Sequence, residues 1–263
     1  MPSSVVVSTH DGRKFDADLT TGMETTVFFL GEYEKAITNL VTELLQNEIV
    51  NTKRPNPVFV DVGANFGWYT TLFHKCAGRG GQVHSFEPIP STFSSLTKNY
   101  GLMGSPANVF INNLALGDKA GEITANLFLG LPTGHASISD QGRDDAIPIK
   151  CRMTTLDSYL EEHKIANVDF VKVDIEGAEM MFLKGAERLF GQDVPPFWLM
   201  EMALNQTKNF GYRPNDLIEF IRARAEYAFY KIDEVEGKMI AIDGFADDDI
   251  GANVICVPRS KAK

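Results

Sequence analysis

Cysteine is scarce in this chain. Cys76, Cys151 and Cys256 are the only three in 263 residues, odd in number and without the close spacing of metal ligands. That excludes a Cys-rich zinc site and is the pattern of reduced thiols in a cytoplasmic protein. Positive charge is also in short supply. Lys and Arg number 25 against 35 Asp and Glu, for a formal charge of −10 and a pI near 5.0, and no basic cluster relieves the balance. Nucleic acid is therefore not expected as a partner. The N-terminus lacks a basic segment followed by a continuous apolar core, and no later run has the length needed to span a bilayer, so a soluble, unexported chain is expected. Internal repeats, low-complexity tracts and interdomain linkers are missing too. What remains is 44% hydrophobic, enough for one large core or a core with a small appendage. Residues 1–57 are expected to form an N-terminal hairpin and cover helix, and residues 58–263 the main domain, the two making one compact unit.

The richest segment runs from Val58 to Thr70. Val58, Phe59, Val60 and Val62 form the β-branched and aromatic run of a buried parallel strand. Asp61 lies at its carboxyl end. Gly63 and Gly67 open backbone conformations closed to other residues and let a ligand approach, and Asn65 between them tolerates left-handed geometry. A helix starting near Trp68 would turn its free N–H groups to that ligand. After it, Gln82 to Phe86 reads as a second strand ending in Glu87, 20 residues beyond Gly67, where a ribose-binding carboxylate is expected. Pro88 stops the strand. The combination reads as a cradle for a nucleoside cofactor. The bland reading of Asp61 and Glu87 is a pair of surface acids at strand ends.

Elsewhere the pattern alternates between strand and helix. Residues 4–30 read as short strands broken at His10-Asp-Gly and Thr21-Thr-Gly. Ile37, Leu40, Val41, Leu44 and Leu45 mark an amphipathic cover helix, with Tyr33 and Glu34 at its start within reach of the ligand. Helices are expected over 91–100, from Thr155, around Met181 to Phe190, and over 216–225. Strands are expected over 108–116, 122–129, 168–174, 195–201, 227–232, 238–242 and 252–257, the last three closing as an antiparallel hairpin. Residues 130–146 read as a mobile loop of the kind that serves as a substrate lid.

The run Asp61-Val-Gly-Ala-Asn-x-Gly-x-Tyr-Thr, then Phe86-Glu-Pro, Leu156-Asp, and Lys172-Val-Asp-Ile-Glu-Gly-Ala-Glu followed by Leu183-x-Gly-Ala, resembles the FkbM family of S-adenosylmethionine-dependent methyltransferases. The likeness extends from about Gly31 to Val257. It implies an α/β class I methyltransferase (Rossmann-like) fold, with a seven-stranded, mostly parallel sheet, an antiparallel last strand and helices on both faces. It implies S-adenosylmethionine as cofactor and a hydroxyl on a sugar or natural-product small molecule as methyl acceptor. Carried onto this chain, the cofactor set is Asp61, Gly63, Asn65, Gly67, Tyr69, Glu87 and Pro88, with Leu114 and Ala115 lining the adenine. A ribose offers two hydroxyl donors to the Glu87 carboxylate, and an acidic neighbourhood at Asp61 suits a sulfonium cation.

For the chemistry, Asp174 and Glu176 stand out, with Glu179 beside them, because Asp174 sits at the carboxyl edge of the fourth core strand, where open α/β sheets place ligands. A hydroxyl becomes a good nucleophile when a base takes its proton. The competing reading is that Asp174 and Glu176 cap the next helix or tie down the exit loop. His135, in the glycine-rich loop, is a second candidate base. Glu201, at the end of the fifth strand, would stand beside Asp174, and two such carboxylates with waters could hold Mg²⁺. The neighbouring-ligand motif of metal-dependent catechol-type methyltransferases is not reproduced at Glu201, so a metal site stays unassigned. His10, His74, His84 and His163 read as surface or helix residues, Trp198 as core, and Trp68 as packing at the cofactor mouth. Two other functions remain open: a nicotinamide-dependent oxidoreductase, against which the missing third glycine counts, and a non-catalytic cofactor-binding scaffold.

Overall fold

The structure, a computed structural model, describes residues 4–50, 56–128, 136–137, 146–246 and 248–259. The chain opens with an antiparallel hairpin, β1 (Ser4–Ser8) and β2 (Lys14–Asp18). The next segment departs from the strand expectation. Gly22–Leu30 is a helix, α1, whose first turn is capped by Thr21 Oγ1 accepting from Glu24 N at 3.1 Å. Glu24 in turn accepts from Asp18 N at 2.8 Å, and Gly31, in the left-handed region at φ 66, ends the helix. Thr21-x-x-Glu24 is a helix-start signal that the apolar run Val27 to Leu30 obscures. The expected cover helix is α2 (Lys35–Leu44), continued by a π-helical turn, Leu45–Val50.

The core elements follow as β3 (Val58–Val62), α3 (Trp68–Ala77), β4 (Gln82–Phe86), α4 (Pro90–Leu102), β5 (Val109–Asn112), β6 (Ala115–Leu116), β7 (Gly121–Phe128), β8 (Ala136–Ser137), β9 (Ala146–Thr154), α5 (Leu156–Glu162), β10 (Phe170–Val173), α6 (Glu179–Lys184), β11 (Phe197–Ala203), α7 (Leu204–Thr207), α8 (Pro214–Arg222), β12 (Tyr227–Asp233), β13 (Lys238–Ile242) and β14 (Gly251–Pro258). The central sheet has the order β13-β12-β14-β11-β10-β3-β4-β5. The last strand, β14, runs antiparallel between β11 and β12. The sheet thus has eight strands where seven were expected. The extra one is β13, which pairs with β12 across the turn closed by Gly237 N donating to Asp233 O at 2.8 Å.

A second sheet, β6-β9-β7-β8, was not anticipated. The strand read over 108–116 splits, β5 staying in the central sheet and β6 leaving it for β9. In β9, Ile149, Cys151 and Met153 turn inward at alternate positions, a period that Pro148 masks because proline weakens a strand reading. β8 falls inside the expected loop over 130–146. The remainder of that loop, including His135, lies outside the described residues apart from Ala146.

Alternation along the central strands separates two cores. Phe59, Phe170 and Leu199 pack with Val41, Leu72 and Phe73 on the α2 and α3 side. Val60, Val171 and Met200 pack with Leu160, Phe182 and Leu217 on the α5, α6 and α8 side. Each such buried side chain contributes about 1.5–3 kcal/mol, so both faces are firmly covered. Trp198 is core as expected, its indole N–H donating to Tyr227 Oη at 2.8 Å. His84 is also core, contrary to expectation: it stacks on Phe110 at 4.6 Å, lies 3.0 Å from Tyr159 Oη, and burial drives its pKa down to about 4.

Candidate functional site

The carboxyl ends of β3, β4 and β10 open on a cavity of about 400 Å³, the place where parallel α/β sheets collect ligands. Its floor is the turn after β3. Gly63 adopts φ +77, and a Cβ there would overlap the backbone oxygen of Asp174. This glycine therefore admits the close approach of the β10 exit, and it also lines the cavity. Asn65 holds φ 50, its side-chain oxygen accepting from Phe66 N at 2.8 Å. Gly67 caps α3 at φ +98, and a Cβ would come within 2.8 Å of Leu96.

Glu87 forms the next wall. One oxygen accepts from Asn65 N at 3.0 Å and the other from Ile89 N at 2.9 Å. Two backbone amides thus fix the carboxylate while leaving lone pairs for further donors. Burial pushes its pKa up to about 7, against those two amide bonds. Pro88, Leu114 and Ala115 stand beside it. Across the cavity, Tyr69 donates its hydroxyl to Glu34 at 2.6 Å. Tyr33 and Glu34 lie on the wall, as does Trp68. Burial raises the Glu34 pKa, and the Tyr69 bond and Lys172 oppose that rise.

The β10 exit carries the acids. Lys172 Nζ stands 3.2 Å from Asp174 Oδ2 and donates to Gly63 O at 3.2 Å. Burial lowers its pKa, but Asp174, Asp61 and Glu34 outweigh that and raise it. Glu176 follows in the left-handed region at φ 57. At Gly177, φ +99, a Cβ would meet Gln206 O at 2.8 Å, so α7 rests directly on this turn. From α7, Gln206 Nε2 donates to Glu176 at 2.8 Å and to Glu201 at 3.0 Å. Facing two acceptors, the amide must present its nitrogen, and Gln206 Oε1 is left buried without a partner. An unpaired buried acceptor costs about 1–3 kcal/mol, so the two acids are held at the expense of stability. Glu201 lies within hydrogen-bond reach of Asp174, and burial and then the Asp174 charge push its pKa up to about 9.

Asp174, Glu176, Gly63, Asn65, Tyr69, Glu87, Pro88, Leu114 and Ala115 are thus brought to one cavity. Asp61 and Gly67 are not on its wall. Period-two alternation turns Asp61 with Phe59 toward α3, where it is fully buried and accepts from Thr70 Oγ1 at 2.7 Å. Glu179 is also withdrawn. It accepts from Ile175 N and Gly177 N, both at 3.2 Å, and ties down the exit loop. Lys172 and Gln206 were not singled out as site residues. The alternation that places 172 and 174 on one side could have found Lys172, whereas nothing local marks Gln206. Among the described residues no group of three His, Cys, Asp or Glu is placed to hold a metal ion. The Lys172 ammonium already supplies Asp174 with the positive partner that Mg²⁺ would need to displace.

Residues 61–230 match the family model of the methyltransferase FkbM domain. The chain belongs to this family. Among curated relatives of this FkbM-domain chain, the hexuronic acid methyltransferase AglP of Haloferax volcanii is 29% identical over 128 residues, 49% of this chain and 49% of that protein. The 31-O-demethyl-FK506 methyltransferase FkbM of Streptomyces tacrolimicus is 27% identical over 168 residues, 51% of this chain and 61% of that one. The chain therefore spans about half of the first of these two relatives and about three fifths of the second. In structure it is similar to the METTL16 methyltransferase domain at a TM-score of 0.51 and 10% identity, covering 96% of this chain and 86% of that one. The fold is the class I methyltransferase fold. No helix among the described residues is long and apolar enough to cross a membrane.

Proposed function

We propose that the protein transfers a methyl group from S-adenosylmethionine to a hydroxyl oxygen of a sugar or natural-product small molecule. The observation that carries this reading is one cavity with an anchored carboxylate, Glu87, on one wall and the Asp174–Glu176–Glu201 acids on another. The donor set suits the cofactor. Glu87 is held by two amides and keeps free lone pairs for ribose hydroxyls, while Asn65, Pro88, Leu114 and Ala115 border it as nucleoside contacts. Besides Glu201, four wall carboxyl groups, Glu34, Glu87, Asp174 and Glu176, share the wall with the Lys172 ammonium, an environment that favours a cationic ligand. Bound S-adenosylmethionine supplies an electrophilic methyl carbon. The protein's part is to hold both reactants in line and to accept the hydroxyl proton at Asp174, whose side chain is about 38% exposed.

A small-molecule acceptor is favoured by the names of the two relatives, a hexuronic acid methyltransferase and a 31-O-demethyl-FK506 methyltransferase, the second of which specifies an oxygen. The charge of −10 argues against a nucleic-acid acceptor. Against the dinucleotide reading, the space beside Gly63 is filled by the Asp174 backbone, where a pyrophosphate would need a close approach. Calorimetry with S-adenosylmethionine and NAD separates these cofactors. A screen of sugar-containing metabolites for S-adenosylhomocysteine release then tests transfer. Binding of NAD alone, or cofactor binding without release on any hydroxyl acceptor, would refute the proposal.

A further inference from the structure

Asp174 follows Val173 at the end of β10, and Glu201 follows Met200, the register partner of Val173, within the neighbouring parallel strand β11. Their carboxyl groups come within hydrogen-bond reach of one another. Neither ionised carboxylate carries a donor, so such a pair is stable only with a proton between its members. The neighbours decide where it sits. Lys172 Nζ lies 3.2 Å from Asp174 Oδ2 and favours the charge there. Glu201 is bonded instead by Gln206 from α7, whose amide also holds Glu176; the Tyr33 hydroxyl on the α1–α2 connection is near enough to feel its charge, Glu34 lies beyond toward Asp174 and Asn253 is opposite on β14.

We propose that Glu201 is a positioning residue for Asp174: Gln206 fixes one Glu201 oxygen, and Glu201 turns an O–H onto the Asp174 carboxylate, which Lys172 holds from its other side. The unpartnered oxygen of Gln206 fits this role, because the amide gives up its own acceptor to set two acids in place. Glu201 titrating near pH 9 agrees with a proton retained throughout the neutral range. Once that proton leaves, two adjacent anions repel and Asp174 loses its orientation. The consequence for turnover rests on Asp174 acting at the reacting end, as proposed above; the shared proton does not.

Two measurements test it. In protein carrying ¹³C at the glutamate side-chain carboxyl, one signal should titrate near pH 9 and vanish in Glu201→Gln. This needs no acceptor, so it stands even if methyl transfer is never found. In the kinetic arm, Glu201→Ala should lower kcat roughly tenfold or more without changing the KM for S-adenosylmethionine. Glu201→Gln offers an N–H to Asp174 at every pH and a carbonyl to Gln206. It should recover most of that loss and lack the alkaline fall near pH 9. The proposal is overturned if no glutamate titrates above pH 8, if Glu201→Gln keeps the alkaline fall, or if Glu201→Gln turns over no faster than Glu201→Ala. Should Glu201→Ala fail to fold, the titration and the Glu201→Gln pH profile decide alone.

Discussion

Replacing Glu87 by alanine tests the cofactor half of the site. The side chain does two jobs: it accepts one amide at each oxygen, Asn65 N at 3.0 Å and Ile89 N at 2.9 Å, and it presents its remaining lone pairs to the cavity. A hydrogen bond to a charged acceptor contributes about 1.5–3 kcal/mol, so removing the ribose acceptor should raise the Kd for S-adenosylmethionine about 10- to 150-fold. The two amides exchange a protein acceptor for cavity water, which should lower stability by about 1–3 kcal/mol in all. The fold should survive. pH adds a second signature. Burial places Glu87 near pKa 7, and hydroxyl donors favour its ionised form, so affinity should strengthen as pH rises from 6 to 8. One proton released per cofactor bound gives at most about a tenfold gain across that range. The variant should show a flat profile. Titration calorimetry at several pH values, with circular dichroism to confirm folding, reads both effects. An unchanged Kd in a folded variant would remove Glu87 from the cofactor site.

Asp174→Asn should lower kcat roughly 10²–10⁴-fold while the Kd for cofactor changes less than threefold, since asparagine cannot take a proton; a parental rate would exclude Asp174 as base. EDTA should leave the parental rate unchanged because Lys172 occupies the cationic position at Asp174, and activity lost to EDTA and restored by Mg²⁺ would contradict that. Gly63→Ala combines φ +77 with overlap on Asp174 O and should destabilise by about 3 kcal/mol or more, measured as the urea midpoint; a parental midpoint would mean that the β10 exit can yield. For Glu201 the folded pKa is raised from 4.5 to about 9, so the folded state holds a proton that the unfolded chain lacks, and stability falls as pH rises between those values. From pH 7.5 to 8.5 the parent should lose up to about 1.4 kcal/mol more than Glu201→Gln. Equal losses in denaturant melts would show that Glu201 is ionised throughout.

The cradle was legible because its signals are local. A strand, a two-glycine turn and an acid 20 residues further on sit within one stretch of chain, and the structure brings Gly63, Asn65 and Glu87 to one cavity. Asp61, read at a strand end as part of the cradle, is turned toward α3 by the alternation counted from Phe59 and bonded there to Thr70, a placement that the strand end alone does not reveal. Tyr33 and Glu34 were within expected reach and do line the wall. Gln206 was hidden for a different reason: α7 is only four residues long, too short to imprint a helical period. Its importance arises from contacts with Glu176, 30 residues earlier. The small sheet escaped notice because Pro148 masks the period of β9 and because β6 contributes only two residues.

The bond from Tyr69 to Glu34 bears on where this protein can be cut. The family match begins at residue 61, which makes that boundary the obvious place to trim the chain. Yet Met23, Tyr33 and Glu34 line the cavity, and Phe15, Val27 and Ile37 share an apolar cluster with Phe59 and Phe73. A chain started at the match would lose one side of its pocket and bare the α3 face of the sheet, leaving Tyr69 without its acceptor. The segment recognised by likeness is thus smaller than the segment that builds the binding chamber, and the stretch from Phe15 to Ile37 belongs to the latter.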